Sequence, residues 1–71
     1  MNRDAVESTS LKSIGYDPKD SVLEVEFVKG AVYRYSDVPQ QVYDSVMTAE
    51  SVGAAFSKLI KSGGYVYSKV S

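Results

Sequence analysis

Arg34, with a tyrosine on either side, and the triplet Ser51-Val52-Gly53 are the residues of this chain whose types and spacing best suit a ligand. A helix that starts at Ser51 leaves free backbone N–H groups beside a serine hydroxyl. Gly53 permits close approach, so a phosphate or carboxylate would fit there, with Arg34 as counter-charge and Tyr43 as a stacking surface. The same residues have a purely structural reading. Ser51 caps the helix, Gly53 lets it pack tightly, and Arg34 pairs across strands with Glu24. Tyr65, Val66 and Tyr67 form a second group, suited either to closing the core or to an interface with another chain. Histidine and cysteine are absent, which removes imidazole acid–base chemistry, nucleophilic triads, zinc sites and disulfides. The carboxylate pairs Asp17/Asp20 and Glu24/Glu26 read as a turn frame and a strand's solvent face. The chain is therefore expected to be non-catalytic, with no metal and no cofactor.

Length and composition limit the elements that could position these groups. The 71 residues allow one domain, near the size at which a single core becomes marginal and oligomers are common. The hydrophobic share is 44% and the charged share 24%, as in an ordinary folded protein. With a net charge of -1, no global basic field draws the chain onto nucleic acid or a membrane, so an anion site must be local. No apolar run approaches the roughly 20 residues of a membrane span. The start "MNRDAVES" lacks the shape of a signal peptide, so a cytoplasmic location without membrane contact is expected.

Periodicity then assigns the elements. Leu11 to Tyr16 is a strand, and "DPKD" is a turn with proline in its second position. In that four-residue loop Tyr16 falls opposite Ser21 and Ile14 opposite Leu23. Ser21 to Val28 alternates, with Leu23, Val25 and Phe27 on one face and Glu24 and Glu26 on the solvent face. Ala31 to Tyr35 is a third strand. A two-residue Lys29-Gly30 loop would mix polar with apolar residues and demand a positive φ at lysine. A three-residue loop instead puts Gly30 at the left-handed position of a G1 bulge. It faces Val25 with Tyr33, Leu23 with Tyr35 and Glu24 with Arg34, so both tyrosines look toward the core and Arg34 is exposed.

After this hairpin Pro39 suits a first helical position, and Val38, Val42, Tyr43, Val46 and Met47 form one helical stripe. Val52, Ala55, Phe56, Leu59 and Ile60 form a second. Ser51 caps that helix, Lys58 and Lys61 favour its C-terminal dipole, and Gly63-Gly64 ends it. The tail "YVYSKV" is a possible fourth, edge strand. The expected architecture is α+β: an antiparallel sheet of three to four strands with two short helices on one face, in the order β-β-β-α-α with a possible C-terminal β. Residues 1–71 form this one domain, with 1–9 loosely ordered.

The runs "S-x-S-L-x-x-I-G-Y-D" (Ser8 to Asp17), "L-x-V-x-F-x-x-G-x-x-Y-x-Y" (Leu23 to Tyr35), "V-P-x-x-V-Y" (Val38 to Tyr43) and "A-x-S-x-G-x-x-F" (Ala49 to Phe56) resemble the KTSC domain. That family is named for a segment at the C-terminus of some lysyl-tRNA synthetases and also occurs as free-standing bacterial and phage proteins. The resemblance implies RNA or a small nucleotide as partner, and in a phage setting a protein that sequesters a nucleotide signal. The alternative expectation is a protein-interaction or self-assembly module, a homo-oligomer formed through the edge strand.

Overall fold

The computed structural model describes residues 3–71. Strands β1 (Asp4–Ala5), β2 (Leu11–Asp17), β3 (Val22–Phe27) and β4 (Val32–Tyr35) come first. Helices α1 (Gln40–Met47) and α2 (Val52–Phe56) follow, α2 continuing directly into a π-helical turn (Ser57–Lys61), and strand β5 (Tyr67–Lys69) ends the order. The five strands make one antiparallel sheet in sequence order. The α+β class and the two helices agree with the sequence reading; the sheet has five strands rather than three to four. The tail strand pairs within its own chain, Tyr67 opposite Tyr35 and Lys69 opposite Tyr33.

The added strand, β1, falls in the segment 1–9 expected to be loosely ordered, of which residues 1 and 2 lie outside the described residues. Its residues show no apolar alternation, and charge fastens it instead. Arg3 reaches Glu24 at 3.2 Å and Glu26 at 3.7 Å, while Val6 donates its N–H to the Lys12 carbonyl.

The β3–β4 hairpin has the bulged register. Val25 pairs with Tyr33, Glu24 with Arg34 and Leu23 with Tyr35, and Gly30 takes φ +103°, a left-handed value that side chains rarely adopt. The β2–β3 hairpin is displaced from its expected pairing. Tyr16 lies opposite Leu23 and Ile14 opposite Val25, so the loop is Pro18 to Ser21. Asp17 causes the shift, because its Oδ1 accepts the N–H groups of Lys19 and Asp20 and Ser21 turns the chain at φ +56°. The displacement is even, so every side chain keeps its face.

One face carries the core. Leu11, Ile14, Leu23, Val25 and Tyr35 from the sheet pack against Val38, Val46, Phe56 and Ile60. Pro39 stands one position earlier than expected: it is the extended N-cap of α1, at ψ 145°. Its carbonyl accepts from Val42 and Tyr43. On the other face Glu24 is buried, at 6% exposure, rather than solvated. Two guanidiniums cover it: Arg34 donates from Nε at 2.8 Å on one side, and Arg3 closes the other. Beside it the Ser13 hydroxyl donates to Glu26 at 3.1 Å.

Candidate ligand groove

Strand parity puts Phe27, Tyr33 and Tyr35 on the helix-facing side of the hairpin, and the β4–β5 register brings Tyr67 beside Tyr35. The second helix adds Phe56 from above. These five rings touch in a closed cycle. Phe27 meets Tyr33 at 5.6 Å, Tyr33 meets Tyr67 at 5.8 Å, Tyr67 meets Tyr35 at 5.2 Å, Tyr35 meets Phe56 at 5.7 Å, and Phe56 returns to Phe27 at 5.9 Å. The cycle has a deep side, Phe56 and Tyr35, and an open side where Tyr67 is 58% exposed.

A groove of about 590 Å³ opens onto these rings. Val28, Lys29 and Ala31 of the hairpin turn form part of its wall, Ser57 and Lys61 of the π-helical turn another, and Thr9 to Leu11 a third. Ser57 and Lys61 come from the widened turn, in which the Ser62 N–H bonds back to the Ser57 carbonyl at 3.1 Å; such turns recur at functional sites. Among the described residues, the only charged ones lining the groove are the two lysines. Neither forms an ion pair among the described residues. A chain with one more acid than base thus presents a local cationic, aromatic surface. Burial raises the Tyr35 phenol pKa, with Tyr67 and Tyr33 adding to the effect. This combination suits a flat, apolar ring carrying anionic groups.

The residues singled out in the sequence are scattered by the fold. Arg34 lies on the opposite sheet face, paired with Glu24. Ser51 caps α2, its Oγ accepting from the Ala54 N–H at 3.2 Å. Gly53 is pressed against the Ser8–Ser10 turn: a β-carbon there would come within 2.6 Å of Ser8 Oγ. Tyr43 stacks on Tyr16 at 4.8 Å, away from the groove. Burial raises its pKa, with further contributions from Asp4 and Asp44. The structure therefore does not bring Arg34, Ser51, Gly53 and Tyr43 together. In the tail, Tyr65 is half-buried against the core, Val66 is 75% exposed and Tyr67 lines the groove. Sequence reasoning passed over Lys29 and Lys61, reading one as turn and the other as dipole partner. The available signal was Lys29 in the loop next to three aromatics of one parity.

No group of three or more acidic, histidine or cysteine residues among the described ones could hold a metal. No helix of the described residues is long and apolar enough to cross a membrane.

The KTSC domain family profile matches residues 7–65. The chain belongs to the KTSC domain family. It is similar over nearly its whole length to the crystal structure of a KTSC domain protein from Yersinia pestis, with a TM-score of 0.89 and 35% identity over 99% of this chain and 97% of that one. An uncharacterized protein of Stutzerimonas stutzeri is 44% identical over 70 residues, 99% of each chain. A lysine–tRNA ligase of Nostoc punctiforme is 38% identical over 55 residues, which is 78% of this chain and 10% of the ligase. The KTSC fold thus occurs both as a free-standing chain and as a short part of a much larger enzyme.

Proposed function

We propose that this KTSC domain is a non-catalytic binding module whose groove takes nucleic acid or a small nucleotide. The closed cycle of five rings, in a groove whose charged lining among the described residues is Lys29 and Lys61, carries the reading. Base stacking on aromatic side chains contributes about 1–3 kcal/mol per base and does not depend on sequence, and the lysines attract phosphate. The similarity to part of a lysine–tRNA ligase adds support, because that enzyme handles RNA, and such a role fits a cytoplasmic location. A free-standing module that sequesters a small nucleotide would use the same groove. The test is an NMR titration of labelled protein with oligouridine and with uridine monophosphate. Shifts confined to Phe27, Tyr33, Tyr67 and Lys61 are expected; shifts at Arg34 and Ser51 instead would move the site, and none at all would end the proposal.

A second reading rests on the β5 edge, where Val66, Tyr67 and Val70 are exposed and the outer backbone groups have no strand partner among the described residues. That edge would join a second copy. Sedimentation velocity across concentrations decides it: a monomer throughout rules out self-assembly.

A further inference from the structure

We infer that the groove takes a single-stranded polynucleotide threading past the aromatic cycle, with phosphates on Lys29 and on Lys61, rather than a lone nucleotide. This rests on the binding reading above and specifies its ligand. The two cations come from separate elements, Lys29 from the β3–β4 turn and Lys61 from the end of the π-helical turn. Neither is neutralised by a carboxylate among the described residues. A strand carries a phosphate on each side of every base, so one stacked base presents an anion to each lysine.

Shape points the same way. Pockets for small molecules bury most of the ligand's surface, whereas this groove is open along Val28 and Tyr67, which are 57% and 58% exposed. A mononucleotide would sit half in water, while a strand covers the open side with neighbouring nucleotides. The Thr9 and Ser57 hydroxyls at the groove wall offer hydrogen bonds to a sugar. RNA and DNA share the base-and-phosphate chemistry, and the comparison below separates them.

The experiment is fluorescence anisotropy with labelled oligouridine and oligothymidine about seven nucleotides long, a span typical of such sites, with uridine monophosphate as competitor. Salt is varied throughout. Two phosphate contacts predict a slope of log K against log salt of about -1.4, and Lys29→Ala and Lys61→Ala should each reduce its magnitude by about 0.7. Lys19→Ala, in the β2–β3 turn, should leave it unchanged. Tyr67→Ala should weaken binding at least about fivefold, with Tyr67→Phe restoring it. Tighter binding of oligouridine assigns RNA, and equal binding assigns the shared chemistry; both support the inference. A monophosphate that competes as well as an unlabelled oligomer overturns the two-phosphate strand while leaving nucleotide binding intact. Failure of every probe to bind overturns both.

Discussion

The Ser8 hydroxyl oxygen stands 2.6 Å from where a β-carbon on Gly53 would lie. Ser8 cannot simply turn away, because that oxygen also accepts the N–H groups of Ser10 and Leu11, each at 3.3 Å. Two distant sequence motifs are thereby locked together. Gly53→Ala is expected to cost about 1 kcal/mol through loss of the Ser8 turn bonds. In a Ser8→Ala background the same substitution should be neutral or stabilising, since alanine favours the helix over glycine. A double-mutant cycle by urea unfolding measures the coupling, and additive effects would contradict it.

Arg34 contributes to the fold rather than to the groove. Its Nε bonds Glu24 at 2.8 Å on the sheet face opposite the helices. Arg34→Ala should destabilise by about 1 kcal/mol, since Arg3 still pairs the buried carboxylate and Arg34 itself is half in solvent. Oligonucleotide affinity should stay the same. A large loss of affinity with unchanged stability would return Arg34 to the binding site.

Gly30 holds the hairpin that presents Lys29. At φ +103° an added side chain meets no atom within 4 Å, so the cost of Gly30→Ala is purely one of backbone conformation. About 1–2 kcal/mol is expected. For a domain of this size that corresponds to a fall in Tm of roughly 4–16 °C, readable by circular dichroism.

High pH should unfold the protein earlier than tyrosine content alone would suggest. The folded-state pKa of Tyr35 is raised chiefly by burial, then by Tyr67 and Tyr33, and that of Tyr43 chiefly by burial, then by Asp4 and Asp44. A raised folded pKa means that the native state keeps its proton where the unfolded chain has lost it. Stability is therefore full below the unfolded value of about 10 and falls as pH rises through the folded values. Thermal melts between about pH 8 and 11 should show Tm falling above about 10, and Tyr35→Phe should lessen the fall. A flat profile would contradict the burial of these phenols.

What the sequence determined by itself was local and periodic. Alternation through Leu23, Val25 and Phe27 and the glycine at position 30 were enough to set the β3–β4 register, because a one-residue slip would have set Arg34 against Val25 and turned Tyr33 and Tyr35 onto the face of Glu24 and Glu26. Ser51 announced its cap for the same reason: the hydrogen bond to Ala54 spans three residues. Tertiary structure decided the rest. Strand β1 is held by ion pairs from Arg3 to Glu24 and Glu26, more than twenty positions away, and no alternation marks it. Likewise the lysines at 29 and 61 and the rings of Phe27, Phe56 and Tyr67 meet only once the helix lies over the sheet and the tail pairs with β4. Periodicity tells which way a side chain faces; what it faces depends on long-range packing, and there the candidate site moved from Arg34, Ser51, Gly53 and Tyr43 to the aromatic groove.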